Sequence, residues 1–140
     1  MRLPALVIDC SVTLAWFFDD ELDPYAVSCL DALAESQAIA PSLWLLEVTN
    51  GLLGAERRGR LSVEGVTTAL TMLAELDVVV DATTPRPATL FMFARQYSLT
   101  AYDAPYLELA MRAGLPIATN DRALLRAATD AGVKVWGSHT

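Results

Sequence analysis

Four acidic residues of the sequence lie beside or inside strongly apolar segments: Asp9, Glu47, Asp103 and Asp121. Grouped carboxylates suit Mg²⁺ and Mn²⁺, which prefer oxygen ligands and are typically held by only a few acidic side chains. Water bound to such an ion becomes a better nucleophile, and the ion offsets charge on an attacked phosphate. If these acids meet in the fold, the chemistry they favour is metal-assisted hydrolysis of a phosphodiester bond.

Each acid also has a simpler structural interpretation. Asp9 and Asp121 directly precede predicted helices, where aspartate is a favoured N-cap. Asp103 lies at a helix start as well, because Pro105 lacks an N–H and is tolerated only in the first helical turn. Glu47 is harder to explain, because a charge inside a helix of leucine, valine and tryptophan is costly unless it is paired or bound to metal. Pairing with an arginine is the alternative to a metal at that position.

Short apolar segments that alternate with helical patterns surround these acids. Continuous apolar runs predict strands at Leu3–Asp9, Ile39–Ala40, Val78–Val80, Ile117–Ala118 and Val133–Trp136. Helical periodicity and capping signals predict helices at Ser11–Phe18, Pro24–Ser36, Ser42 to about Arg57, Ser62–Leu76, Pro87–Ser98, Tyr102–Ala113 and Asp121–Ala131. The predicted fold class is therefore an α/β sandwich around a parallel sheet.

The predicted elements place some of the acids at a common edge. In open parallel sheets, ligands bind beyond the carboxyl ends of the strands, and Asp9 and Asp121 each follow a predicted strand. The helix capped by Ser42 is apolar almost all round, so we expect it to be buried. Counting 3.6 residues per turn places Glu47 and Asn50 on one face of it with two glycines. That polar or small face suits the edge of a cleft.

The composition indicates a single compact unit. The 140 residues are 54% hydrophobic with a mean hydropathy of +0.35, so we expect one domain, residues 1–140, with its own core. The run Trp16–Phe18 is a candidate surface patch for a partner, and oligomerisation is compatible with it. No apolar run reaches the roughly 20 residues needed to cross a bilayer, and the chain is predicted to be cytoplasmic. Cys10 and Cys29 lack metal-site spacing and are predicted to lie in or near the core.

The net charge of −7 is unevenly distributed. Residues 1–56 carry one base and nine acids, whereas residues 57–140 carry nine bases and eight acids, so a polyanion is better tolerated by the second part. Four of the acids form a loop that we expect to be solvated: Asp19, Asp20, Glu21 and Asp23. His139, the only histidine, lies near the end of the chain, which argues against histidine acid–base chemistry.

Four local sequences add a family resemblance to this pattern. They are LVIDCS, SLWLLEVTNGL, LTAYDAPYLELA and LPIATNDRAL, and they span most of the chain. Together and in this order they resemble the PIN domains of VapC-type toxins, the ribonuclease halves of toxin–antitoxin pairs. The resemblance implies a PIN-like three-layer α/β/α sandwich around a short parallel sheet. It also implies an endoribonuclease that uses Mg²⁺, with Mn²⁺ as a substitute.

The resemblance assigns roles to individual residues. Asp9 matches the first family acid, Glu47 the second in E-V-x-N, Asp103 the third in Y-D-A-x-Y-L, and Asp121 the fourth in A-T-N-D. Polar support around the acids is expected from Ser11, Asn50 and Thr119. Pro105, two residues after the third acid, is less usual for the family and stiffens that loop without removing the acid.

The implied partners are an RNA substrate, a VapB-like antitoxin and a second copy of the chain in a homodimer. Candidate contacts to RNA phosphates are Arg57, Arg58 and Arg60, although basic residues at a helix C-terminus also complement the helix dipole. A haloacid-dehalogenase-like phosphohydrolase is a rival interpretation, because residues 6–9 resemble its nucleophile strand, but Ser11 stands where that family has a second aspartate. A non-catalytic PIN-like binding module is the other rival. Loss of acids would favour it, and all four are present.

Overall fold

The computed structural model describes residues 3–18, 20 and 23–139. Its four strands are β1 (Pro4–Ile8), β2 (Gln37–Pro41), β3 (Val78–Asp81) and β4 (Ile117–Ala118). They form a parallel sheet in the order β3-β2-β1-β4. Residues of the two central strands, β1 and β2, are largely buried, as expected for parallel strands covered on both faces.

Seven helices connect or follow these strands in the described part of the chain. Two of them end at glycines with left-handed backbone, Gly114 and Gly132, as the sequence predicts. The helices are α1 (Cys10–Ala15), α2 (Pro24–Ala32), α3 (Leu43–Arg57), α4 (Val63–Glu75), α5 (Pro87–Tyr97), α6 (Ala104–Ala113) and α7 (Arg122–Ala131).

The strand order determines how the helices are distributed. The chain moves outward from β1 to β2 to β3, then returns past β1 to form β4. Because parallel crossovers are right-handed, α1–α4 cover one face of the sheet and α5–α7 the other. The packing agrees, since α1 contacts α2 and α3, while α6 contacts α5 and α7. The predicted three-layer α/β/α architecture is confirmed.

The core lies between these layers. Leu6, Val7 and Ile8 of β1 are completely buried, and Leu107 of α6 packs into the same hydrophobic cluster. Helices α1 and α3 approach closely because Gly51 has no side chain. A Cβ atom at that position would collide with the Leu14 side chain. This contact fixes the helix that follows Asp9 against the helix that carries Glu47.

Helix α3 differs from its prediction in two ways. Ser42 has helical backbone and makes no side-chain capping bond, so it does not cap the helix. The helix is also not buried all round: Leu45, Leu46 and Leu53 are exposed, with Leu46 at 70%. Apolar periodicity cannot distinguish a core-facing side chain from one left for a partner. The expectation of a fully buried helix was wrong for that reason.

The ends of other elements also differ from the sequence prediction. The predicted strand Val133–Trp136 is reduced to one bridge between Val135 and Ile117, because β4 offers only two residues for pairing. The aromatic run after α1 is half-buried, with Trp16 and Phe17 packed on the core rather than presented as an open patch. Cys29 is buried and Cys10 half-buried, as predicted. None of the described helices is long and apolar enough to cross a membrane.

Candidate active site

The candidate site lies at the carboxyl edge of the sheet, between β1 and β4. The connection from β1 leads toward β2, whereas the chain after β4 leads through α7 to the Val135 bridge on the other side of β4, and such a divergence opens a crevice in sheets of this kind. Asp9 follows β1 directly, and Asp121 follows β4 after two residues. Each N-caps the next helix, Asp9 by accepting from the Val12 amide and Asp121 by accepting from the Ala123 amide. Asp9 and Asp121 therefore each cap a helix and also lie in the candidate site.

Asp9 is the most enclosed of the four acids, with 3% of its surface exposed. Its Oδ1 accepts hydrogen bonds from the Val12 amide at 3.1 Å and the Ser11 hydroxyl at 2.7 Å. Its Oδ2 accepts from the hydroxyl of Thr119 at 2.5 Å. The carboxylate is therefore held from both sides, by α1 and by the segment that follows β4.

Two hydroxyl residues tie this segment to Asp9. The Thr119 oxygen that donates to Asp9 also accepts from the Asp121 amide at 2.9 Å. The Ser11 oxygen accepts from the Asn120 amide at 2.9 Å. Ser11 and Thr119, predicted as polar support, thus lie against Asp9 and link it to the backbone of Asp121.

Glu47 faces the site from α3, and its partner is not an arginine. Its Oε1 accepts a hydrogen bond of 2.5 Å from the hydroxyl of Tyr106. Tyr106 is buried in α6, three residues after Asp103. The sequence analysis did not select Tyr106, although a tyrosine one turn after an acid on an apolar helix was an available signal, because a buried hydroxyl requires a partner.

Asp103 immediately precedes α6 but, unlike Asp9 and Asp121, makes no capping bond. Its backbone is helical, and its amide donates to the Thr100 hydroxyl at 3.1 Å. The simple N-cap interpretation was therefore wrong for Asp103. Its carboxyl group instead lies near that of Asp121, whose charge contributes to raising the pKa of Asp103.

The acids perturb one another electrostatically. Burial raises the pKa of Asp9 to about 6 despite the hydrogen bonds from Thr119, Val12 and Ser11, and the charge of Asp121 adds to the rise. Burial and then the Asp121 charge raise the pKa of Asp103. Burial also raises the pKa of Glu47, with a further rise from Asp103 that the Tyr106 hydrogen bond opposes. A continuous series of interactions therefore runs from Asp9 through Asp121 and Asp103 to Glu47.

This donor set fits a hard divalent cation chemically. It consists of carboxylate oxygens, and both their burial and their mutual repulsion disfavour the ionised form of the carboxyl groups. A bound divalent cation offsets this cost, because its positive charge stabilises the ionised form. Within residues 3–18, 20 and 23–139, no three acidic, cysteine or histidine side chains already surround one metal position. Binding an ion would therefore require side-chain rotation, for which the partly buried Glu47 and Asp103 have more freedom than Asp9.

Comparisons with known proteins agree with this geometry. A family model described as PIN domain matches residues 6–130. The chain belongs to the PIN-domain family. PIN domains are in general nucleases, and those nucleases generally use divalent metal ions.

Solved structures show the same fold as this PIN domain. PAE2754 from Pyrobaculum aerophilum is 23% identical with a TM-score of 0.70, and the match covers 89% of this chain and 84% of that one. FitAcB from Neisseria gonorrhoeae is 16% identical with a TM-score of 0.62, over 94% and 96% of the two chains. VapBC2 from Rickettsia felis, solved with a DNA fragment from its promoter, is 11% identical with a TM-score of 0.63, over 94% and 96%. No curated protein matches the sequence.

The predicted arginines lie away from the acids of this PIN domain, whereas Asn50 lies closer to them. Asn50 is exposed on α3, one turn beyond Glu47. Arg57, Arg58 and Arg60 are exposed at the far end of α3, about 15 Å along the helix from Glu47 at 1.5 Å per residue. The Arg60 guanidinium lies 3.8 Å from the centre of the Phe18 ring and 3.6 Å from the Asp20 carboxylate. The structure does not bring these arginines to the four acids of the candidate site.

Part of the acidic loop that we expected to be solvated is ordered by specific contacts. Asp23 caps α2 by accepting from the Ala26 amide, and its other oxygen accepts from the side chain of Asn120. Asp20 is exposed. Asp19 and Glu21 lie outside the described residues.

Proposed function

We propose that this PIN domain is a metal-dependent endoribonuclease. Asp9, Glu47, Asp103 and Asp121 would hold Mg²⁺, or Mn²⁺ in its place, and the ion would supply an activated water and offset charge on the phosphate. The observation that carries the proposal is the meeting of these acids at the carboxyl edge of the sheet. They come from four separate segments, and the charge of another of these acids contributes to the raised pKa of Asp9, of Glu47 and of Asp103.

The surrounding residues would position the acids. Ser11 and Thr119 hold the two oxygens of Asp9 and thereby fix the direction of their remaining lone pairs. The hydroxyl of Tyr106 fixes one oxygen of Glu47 and leaves the other for a ligand. Asp121 is fixed at one oxygen by its capping bond. Orientation of metal ligands by a surrounding set of hydrogen bonds is a general requirement for tight and productive binding.

Metal dependence is the most direct test. Single-stranded RNA should be cut in Mg²⁺ or Mn²⁺, remain intact in excess EDTA, and be cut again when the metal is restored, because the nucleophile is metal-activated water. Cleavage that is undiminished by chelator would contradict the mechanism. Hydrolysis of phosphomonoesters through a phosphorylated Asp9 would support the dehalogenase-like interpretation, against which family membership argues. Metal binding without cleavage of any RNA would support the non-catalytic module.

We propose further that the protein is the toxin of a VapBC-type pair and forms a homodimer. Three exposed leucines of α3, Leu45, Leu46 and Leu53, lie on the helix that carries Glu47 and would be covered by an apolar helix of a VapB-like antitoxin. Solved structures with the same fold include a toxin–antitoxin complex from Klebsiella pneumoniae. An arginine of such a partner could also pair with the acids.

Expression in a host cell tests this assignment. The wild-type protein alone should arrest growth, and co-expression of the neighbouring gene product should restore it. Asp9→Asn should be harmless and still bind the partner, whereas Leu46→Glu should remain toxic but escape the partner, because it changes the covering surface and not the acids. Harmless wild-type expression with no co-purifying neighbour product would rule out the toxin assignment and leave the nuclease proposal to the metal test.

A further inference from the structure

A cavity with several polar side chains in its lining adjoins the segment that carries Asp121. It has a volume of about 430 Å³ and is lined chiefly by Asp23, Tyr25, Ser28, Asn120 and His139. This volume is within the range of roughly 300–1,000 Å³ typical of small-molecule and cofactor sites. The cavity lies where the start of α2, the segment after β4 and the end of the chain come together. The proposed metal chemistry does not use it.

The wall of this cavity is directly connected to the acids. Asn120 lies between Thr119 and Asp121, and its backbone amide donates to Ser11 while its side chain donates to Asp23. On the other side, the Nε2 atom of His139 is 2.8 Å from the Thr119 carbonyl oxygen, so Nε2 is the donor in that contact. An RNA strand held at Asp121 would therefore have its neighbouring nucleotide at the mouth of the cavity.

Several polar atoms in this cavity are available as hydrogen-bond acceptors. The Asp23 carboxylate accepts one bond at each oxygen and retains further lone pairs. The Ser28 hydroxyl already donates to the Tyr25 carbonyl, which leaves its lone pairs, and the Oδ1 atom of Asn120 is a further acceptor. Neither lysine nor arginine is among the described lining residues. The cavity therefore disfavours a phosphate and favours a group that presents N–H donors.

One side of the cavity is aromatic. The rings of Tyr25 and His139 stack with centroids 3.6 Å apart and planes 23° from parallel, and the Tyr25 hydroxyl donates to the Trp136 carbonyl at 2.6 Å. This stack is fixed in place by its own hydrogen bonds. Proteins that read single-stranded RNA combine an aromatic surface, on which an unpaired base stacks, with hydrogen bonds to the base edge.

We propose that this cavity binds an unpaired guanine base next to the phosphodiester that is cut. Guanine presents two adjacent donors, N1–H and the N2 amino group, and these match the two oxygens of the Asp23 carboxylate. Asn120 would then connect base recognition with the position of Asp121. The inference rests on the proposed endoribonuclease function and adds to it a base preference and the residue that sets the preference.

Cleavage of a random single-stranded RNA pool tests the inference. Sequencing of the ends should show guanine enriched at one fixed position beside the cut, by about tenfold for one good base-edge contact. Asp23→Asn should remove the enrichment while the RNA is still cut, since asparagine remains a good N-cap. Asp31→Asn is the matched control, because it removes the same charge from an exposed position of α2. Cleavage without guanine preference, or a preference that survives Asp23→Asn, would overturn the inference and leave the nuclease function standing.

A binding measurement keeps the two proposals separate. In metal-free protein, guanosine should shift the NMR signals of the Asn120 side-chain amide and the His139 ring. Inosine, which lacks the N2 amino group, should shift them less, and Asp23→Asn should remove that difference. This result would support the cavity even if the protein cut no RNA. Equal shifts with both nucleosides, or no shift with guanosine, would overturn the assignment to guanine. If these signals shift on addition of the antitoxin and not with guanosine, the cavity is assigned to that partner instead.

Discussion

Asp103→Asn should lower the rate of RNA cleavage at least about 100-fold, because a divalent ion contributes several kcal/mol to phosphodiester hydrolysis and each 1.36 kcal/mol is a factor of ten. Asp103 makes no capping bond and is only partly buried, so the substitution removes a charge and preserves the shape of the side chain. Single-turnover cleavage of a labelled RNA in saturating Mg²⁺ measures the effect. Glu47→Gln should have a comparable effect, since Glu47 faces Asp103 from α3.

The control for this loss is Asp130→Asn, which removes one negative charge from an exposed position of α7. It should cleave at the wild-type rate, which separates the loss of a ligand from a general change in net charge. Circular dichroism of all three variants should match the wild type. Full activity in the Asp103 variant would remove this residue from the proposed metal ligands.

Asp9→Asn should change how stability depends on pH in the metal-free protein. Burial raises the pKa of Asp9 from 3.8 to about 6, so the folded state binds this proton more tightly than the unfolded state. The free energy of unfolding therefore falls as the pH rises through this interval, by about 3 kcal/mol at 1.36 kcal/mol per pH unit. The raised pKa values of Glu47 and Asp103 act in the same direction. Asp9→Asn should remove the largest part of this fall.

Urea unfolding in EDTA at pH 4.5 and pH 7.5 measures the difference. The wild type should lose about 2 kcal/mol more than Asp9→Asn between the two values, because part of the fall lies below pH 4.5, while Asp130→Asn should follow the wild type. Mg²⁺ at pH 7.5 should stabilise the wild type, because a ligand that binds only the folded state raises its stability. Parallel pH dependences for wild type and Asp9→Asn would show that burial of Asp9 does not penalise its charge.

Much of the fold could be predicted because local patterns and tertiary structure agree. Pro24 begins α2 and Pro87 begins α5 where their fixed backbone angles are tolerated, and Gly114 and Gly132 end α6 and α7. The apolar runs of β1 and β4 are buried on both faces of a parallel sheet, which their composition indicates. Order along the chain, combined with the right-handed crossover, then determines the layers.

What the sequence could not provide was the partner of each side chain. The exposed leucines of α3 and its buried residues follow the same helical periodicity, so only the packing distinguishes them. The contact between Tyr106 and Glu47 joins residues 59 positions apart, so no local pattern identifies Glu47 as the partner of the Tyr106 hydroxyl. Asn50 is exposed on the same face of α3 as Glu47, and its role as polar support stays a prediction.

The placement of β4 beside β1 has a consequence for protein synthesis. Asp9 is synthesised before the residue whose hydroxyl holds it, because Thr119 lies 110 positions later, and β1 cannot pair with β4 until that segment has left the ribosome. A nascent chain that ends before β4 can form β1, β2 and β3 but lacks one of the four acids and the threonine that orients another. The carboxylate cluster is therefore completed only after translation has passed residue 121, so an unfinished chain cannot assemble it on the ribosome that is making it.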